Sequence, residues 1–174
     1  MTPRERAFGM IISVEDFPKS GVTFRDITGM LADPESFRYA VKKISDFVAA
    51  GTADKVAAVE ARGFVLGSAV ALDVYAGLVL IRKAGKLPRA TRSEACELEY
   101  GKETLFIHED SVKPGERVTV VDDVLATGGT ALATCKLIEA CGGVVDTIVV
   151  LIEIEALGGR KKLEGYNVES IFRF

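Results

Sequence analysis

The stretch that most narrows what this chain can fold into is Val120-Val121-Asp122-Asp123-Val124-Leu125-Ala126-Thr127-Gly128-Gly129-Thr130. The apolar, β-branched run from Arg117 to Val121 is what a strand buried on both faces requires, and such strands belong to parallel sheets. It ends in two adjacent carboxylates. A Thr-Gly-Gly-Thr turn follows, and Ala131 to Ala140 then has the pattern of a helix, with Leu132, Leu137 and Ile138 as core contacts and Gly142-Gly143 as its stop. Gly128 and Gly129 permit positive φ and remove the Cβ atoms that would hold an anion away. The first N–H groups of the helix have no internal partners and can point at that anion. Thr127 and Thr130 can add hydroxyl bonds. Charge-assisted bonds contribute about 1.5–3 kcal/mol each, so several outweigh a helix dipole at about 0.3–1 kcal/mol. The segment suits a phosphate, and Asp122 and Asp123 suit the hydroxyls or metal of an attached sugar. It is not the ATP-type P-loop, because Thr130 is followed by Ala131-Leu132 instead of completing a Lys-Ser/Thr pair. It also lacks the glycine spacing of a dinucleotide fingerprint. The plainer reading is a strand–turn–helix junction with two solvated aspartates.

The rest of the chain repeats the alternation. Asp33-Pro34 opens a helix, with Asp33 as cap and Pro34 at its first position, and Gly51 ends it. Phe37, Val41, Ile44, Phe47 and Val48 follow helical spacing and predict its core face. Lys55 to Val59 predicts a strand, Glu60-Ala61-Arg62-Gly63 a turn, Phe64 to Tyr75 a helix, and Leu78 to Arg82 another strand. Lys83 to Lys102 is charged and contains Gly85, Pro88 and Gly101, which predicts a long exposed excursion of the kind that often serves as a lid. Leu105 to Ile107 and Thr147 to Ile154 predict further strands. Strands alternating with helices imply a parallel sheet covered on both sides.

A chain of 174 residues fits one domain. A net charge of -3 gives no global signal for nucleic acid or membrane, and the apolar runs fall short of the roughly 20 residues a span needs. Met1 to Met10 lacks the apolar core of a signal peptide. Cys96, Cys135 and Cys141 show no paired metal spacing and are expected as free thiols of a reducing, cytoplasmic setting. His108 is the sole histidine and is expected to be structural. Zinc chemistry and Ser/His or Cys/His triads therefore have little to build from.

The Val-Val-Asp-Asp-Val-Leu-Ala-Thr-Gly-Gly-Thr segment resembles the phosphoribosyl-diphosphate (PRPP) motif of type I phosphoribosyltransferases. Four more segments narrow the resemblance to the adenine phosphoribosyltransferase family: Asp16 to Ile27, Glu60-Ala61-Arg62-Gly63-Phe64, Ile81 to Pro88, and Leu98-Glu99-Tyr100-Gly101. Their order and spacing agree with that family from about Ile12 onward.

The resemblance implies an α/β type I phosphoribosyltransferase fold, a single domain over 1–174 with a parallel central sheet, an N-terminal hood over 1–33 that binds the base, and a lid loop over 83–104. It implies transfer of the phosphoribosyl group from PRPP to adenine, giving AMP and diphosphate. The Thr127 to Thr130 loop, joined by Ala126 and Ala131, would hold the 5-phosphate, and Asp122 and Asp123 would face the ribose. Ala61, Arg62 and Gly63, in a turn that includes a non-proline cis peptide, would hold the diphosphate, assisted by Arg82, Lys83 and Lys86. Arg82 and Lys83 would lie at a homodimer interface. Adenine would stack on Phe24, be read by backbone groups around Val22 to Arg25, and lie over Ile154. Glu99 would act as acid/base under the lid, beside Tyr100. Mg2+ would be held mainly by substrate and water, with no direct protein ligand. One departure stands out: Cys96 occupies a position where relatives commonly carry tyrosine. The rival readings are another purine base and a non-catalytic PRPP-sensing regulator. Phe24-Arg25 and Glu99-Tyr100 argue against the first, and the net charge of -3 argues against an RNA-binding form of the second.

Overall fold

The computed structural model describes residues 1–48, 52–98 and 101–174, with the backbone alone at Leu98. The expected helix stop at Gly51 lies outside them. The chain divides into two compact units, Met1–Lys43 and Ile44–Phe174, so the N-terminal unit reaches beyond the 1–33 hood.

In the first unit, helix α1 (Pro3–Gly9) went unanticipated, although its signal is present. Thr2 and Glu5 form a capping box, with the Thr2 hydroxyl accepting from the Glu5 N–H and the Glu5 carboxylate accepting from the Thr2 N–H. Strands β1 (Ile12–Val14) and β2 (Phe24–Asp26) pair antiparallel. Ahead of α2 (Thr28–Ala32), Asp26 accepts from the Thr28 N–H at 2.8 Å and its hydroxyl at 3.0 Å. Helix α3 (Pro34–Phe47) starts as expected. Asp33 accepts from the Ser36 N–H at 2.9 Å. The Arg6 guanidinium bonds the same carboxylate at 2.5 Å and holds it well below the usual carboxylate range.

The second unit is built on β3 (Lys55–Val59), β4 (Gly77–Lys83), β5 (Thr91–Leu98), β6 (Gly101–His108), β7 (Arg117–Leu125), β8 (Val144–Glu153) and β9 (Val168–Arg173), in spatial order β5-β6-β4-β3-β7-β8-β9. The run β4-β3-β7-β8-β9 is parallel throughout, as expected. The other two strands correct the sequence reading. The expected excursion after Lys83 is largely an antiparallel β5–β6 ribbon joined to the edge at Arg82↔Phe106, which makes the sheet mixed. Cys96 is buried on this ribbon. The charged residues that suggested an exposed loop alternate with small ones, and ladder pairing met the backbone's hydrogen bonds regardless. Strand β9 was also unanticipated: Val168 to Arg173 mixes charged and apolar residues too evenly to announce a buried strand.

Helix α4 (Arg62–Asp73) crosses from β3 to β4, and α5 (Gly129–Ala140) crosses from β7 to β8. Alternation along β3 assigns them to opposite faces. Ala57 and Val59 join one core cluster with Ala133, Leu137 and Ile138 of α5. Gly67 of α4 instead lies on Ala58, close enough that a Cβ there would come within 2.5 Å of the alanine's Cβ. A 3₁₀ turn (Glu155–Leu157) and the short helix α6 (Gly159–Lys162) lead from β8 to β9.

Gly67→Ala weighs two opposed effects. Helix propensity would gain about 0.8–1 kcal/mol, while overpacking costs about 1–3 kcal/mol. The expected outcome is net destabilisation, read as a lower urea midpoint. A higher midpoint would show that α4 does not ride this closely on β3.

Candidate active site

Strand order reverses between β3 and β7. The α4 crossover leads to β4 on one side and the α5 crossover to β8 on the other. Ligands of α/β sheets bind at the carboxyl ends of strands beside such a reversal. Both turns singled out in the sequence lie there.

On the β3 side, the Glu60–Ala61 peptide is cis, as the resemblance implied. Ala61 is the N-cap of α4 and no side chain caps that end. On the β7 side, Gly128 is the N-cap of α5 at φ 82°, a left-handed conformation open to glycine, and again no side chain caps the helix. Gly129 and Ala131 are buried, and Ala126, Thr127 and Thr130 are half-buried. Each helix thus presents backbone N–H groups and the positive end of its dipole, as an anion requires.

The aspartates are not at a strand end. β7 runs on to Leu125, so Asp122 pairs in register with Val150 of β8. Aspartate is disfavoured in strands, but β8 is long enough to pair the ladder past it. Asp122 lies against the start of α4: a Cβ on Gly63 would come within 2.7 Å of its Oδ1, so only glycine fits there. The same Oδ1 accepts from the Asp123 N–H at 2.9 Å. Burial, together with the Asp123 charge alongside, pushes the Asp122 carboxyl well above its ordinary value. Asp123 is 6% exposed and is ion-paired to Arg62, which ties the start of α4 to β7.

The other expected cations divide. Arg82 bonds Glu60 through Nε at 3.0 Å, donates to the Lys86 carbonyl at 3.3 Å, and lies over the Phe64 ring at 5.8 Å. Burial pushes Glu60 up, but the Lys83 N–H and Arg82 outweigh it, so this carboxyl sits below its ordinary range. Lys83 pairs with Glu103 at 3.0 Å, and Lys86 is exposed. Arg82 is therefore engaged in fixing the turn that begins at Glu60.

Of the base-binding residues, Val22, Phe24 and Arg25 belong to the first unit. Phe24 is half-buried and meets Phe17 edge-on, with centroids 5.3 Å apart. Ile154 belongs to the second unit, directly after β8, and its N–H donates to Leu125 at 2.9 Å. Glu99 and Tyr100 lie outside the described residues. The free thiols are as expected, with Cys135 pushed up to about 12 by burial.

Sequence reasoning missed two neighbours of the glycine loop. A Cβ on Gly129 would come within 1.9 Å of the Glu97 carbonyl, so the β5 backbone lies directly on the start of α5. Gly159 meets the loop from the other direction. The adjacent Gly158-Gly159 pair was the available signal.

Residues 28–171 match the family described as the phosphoribosyl transferase domain, the class that this sheet and the two turns at its reversal point define. An adenine phosphoribosyltransferase of Christiangramia forsetii is 50% identical over 161 residues, spanning 92% of this chain and 94% of that protein. The crystal structure of adenine phosphoribosyltransferase from Thermoanaerobacter pseudethanolicus superposes with a TM-score of 0.95 at 46% identity, covering 98% of this chain and 99% of that one. That of the Giardia lamblia enzyme, complexed with 9-deazaadenine, does so with a TM-score of 0.94 at 34% identity, covering 100% and 99%. The chain belongs to the adenine phosphoribosyltransferase family.

Asp122 carries a testable cost. A carboxyl whose folded pKa is raised contributes stability below its unfolded value, near 3.8, and loses it as pH rises through the folded value. Asp122→Asn should therefore raise the melting temperature at pH 7, and the gain should shrink as pH falls toward 4. A lower melting temperature at pH 7 would contradict the assignment.

Proposed function

We infer that the chain transfers the 5-phosphoribosyl group of PRPP to adenine, releasing diphosphate and forming AMP, a step of purine salvage. The observation that carries the reading is the pair of helix starts without side-chain caps beside Asp122 and Asp123, with Arg62 of the first ion-paired to Asp123. PRPP has two phosphate ends separated by a ribose, and the crevice has two anion-binding turns separated by carboxylates.

In this reading the N–H groups from Ala126 to Ala131, with the Thr127 and Thr130 hydroxyls, take the 5-phosphate. Ala61, Arg62 and Gly63 take the diphosphate, with Arg62 leaving Asp123 to do so. Arg82 keeps Glu60, and through it the turn, in position. Lys83 and Lys86 supply further positive charge. Asp122 and Asp123 face the ribose hydroxyls. As diphosphate departs, positive charge gathers on the ribose ring, and fixed carboxylates stabilise it electrostatically. Phosphoribosyltransferases generally use the magnesium complex of PRPP. Mg2+ favours oxygen ligands and keeps several waters, so Asp122 and Asp123 would meet it through metal-bound water, and when bound it would neutralise charge on the leaving diphosphate. Adenine, stacked on Phe24 with Ile154 as its aliphatic floor and its edge read from Val22 to Arg25, attacks the anomeric carbon. Glu99 takes the proton from the attacking purine, with Tyr100 beside it, and closure of the 83–104 segment excludes water.

Homodimer formation is part of the proposal. Val65, Leu72, Tyr75, Leu78 and Leu80, on or beside α4 and β4, are exposed large apolar groups of the kind that contact a partner. The three free thiols favour a cytoplasmic setting. Among the described residues, no helix is long and apolar enough to cross a membrane.

Nucleotide formation from labelled PRPP, run in parallel with adenine, hypoxanthine, guanine, xanthine and uracil, tests the substrate. Adenine should dominate, and preference for another base would overturn the reading. Asp122→Asn combined with Asp123→Asn should cut turnover by about 100-fold or more in a folded protein, and wild-type rates would remove the aspartates from the chemistry. Glu99→Gln should lower kcat with the adenine KM nearly unchanged. An effect confined to KM would make Glu99 a binding residue.

A further inference from the structure

We propose that Arg160 and Glu153 are positioning residues for the 5-phosphate loop: their ion pair holds α6 against Ala126–Gly128 and so sets where the loop's N–H groups point. The proposal rests on the assignment of Ala126–Ala131 to the 5-phosphate.

The loop and α6 meet backbone to backbone. A Cβ on Gly159 would come within 2.3 Å of the Ala126 carbonyl oxygen and 2.9 Å of the Gly128 nitrogen. A Cβ on Gly128 would come within 2.6 Å of the Gly159 carbonyl oxygen. The Leu125 side chain packs beside this contact, 3.1 Å from the Cβ position on Gly159, but the nearest atoms on both sides are main chain, so any drift of α6 is transmitted to the loop or opens a gap beside it. Yet α6 spans only Gly159–Lys162, too short to hold itself, since one helical turn is unfavourable in isolation.

Its anchor is Arg160. Nε donates to Glu153 Oε1 at 2.9 Å, Nη2 to Oε2 at 2.7 Å, and Nη1 to the Val168 carbonyl at 2.6 Å. Glu153 is the last residue of β8, is 5% exposed, and also accepts from the Ser170 hydroxyl of β9 at 2.7 Å. A planar guanidinium bonded at both carboxylate oxygens fixes orientation as well as distance, which a lysine cannot match. Arg160 holds its Glu153 partner down to about 2, so the pair stays charged through the neutral range. The chain of contacts runs from two sheet strands through Arg160 to Gly159 and on to the peptide units of Ala126 and Gly128. Neither charged group belongs to the phosphate-binding set itself.

The experiment measures KM for PRPP and for adenine separately, binding of AMP and of adenine by calorimetry, and melting temperature, for Arg160→Gln, Arg160→Lys and Gly159→Ala. Arg160→Gln should raise the PRPP KM about tenfold or more and weaken AMP by a similar factor, with the adenine KM and adenine affinity within about twofold of wild type. Arg160→Lys should fall between, keeping the charge but not the fork. Gly159→Ala should reproduce the PRPP effect with the ion pair intact, which keeps the proposal testable if Arg160→Gln does not fold. Losses that fall equally on adenine and PRPP, or a lowered melting temperature with an unchanged PRPP KM, would reduce the pair to a fold staple and overturn the proposal. Thr127→Ala with Thr130→Ala serves as the direct probe of the loop. If that variant weakens AMP while Arg160→Gln and Gly159→Ala do not, only the positioning role falls. If that variant leaves AMP untouched, the phosphate assignment falls and the positioning role with it.

Discussion

The site depends on the reversal of strand order between β3 and β7. Because α4 and α5 leave neighbouring parallel strands toward opposite faces of the sheet, both begin at the same carboxyl edge. Two helix N-termini, each with its first-turn N–H groups and positive dipole end, then face one crevice. Glycines let these helices approach their neighbours closely: Gly63 lies against the Asp122 carboxylate, Gly67 against the Ala58 Cβ, and Gly129 against the Glu97 carbonyl, at separations a Cβ would forbid. The geometry that would hold an anion thus rests on tight contacts that leave the helices few ways to move.

Electrostatics adds what main chain cannot. Asp122 and Asp123 sit side by side within a strand, and Arg62 is ion-paired to Asp123. The other is held at a cost by burial and by its neighbour's charge. That arrangement opposes stability in the free protein and suits a site where positive charge must be received, the kind of local violation expected at functional positions. Arg82 and Glu60 show the complementary device, a satisfied pair used to fix a turn.

Much of this was legible in residues. Lys55 to Val59 was an expected strand and is β3, and Asp33 was an expected cap and accepts from the Ser36 N–H. The Thr127–Thr130 turn and the Glu60–Gly63 turn were both picked out and stand across one crevice. The misreadings share a cause. β5, the continuation of β7 through its aspartates, and β9 are strands whose side chains do not announce burial, because ladder partners supply what propensity does not. The N-terminal capping box was legible and overlooked.

By itself, the sequence determined the local chemistry: which turns carry glycines, where acids follow apolar runs, and where helices start without caps. Those properties depend on residues within a few positions of each other. Only the tertiary structure decided that Arg62 reaches Asp123, that Arg82 is engaged by Glu60, and that Gly159 lies on the loop at Gly128. Each joins residues distant in the chain, through contacts that exist only once the sheet has set its strand order and register. Spacing along a sequence carries no record of that order.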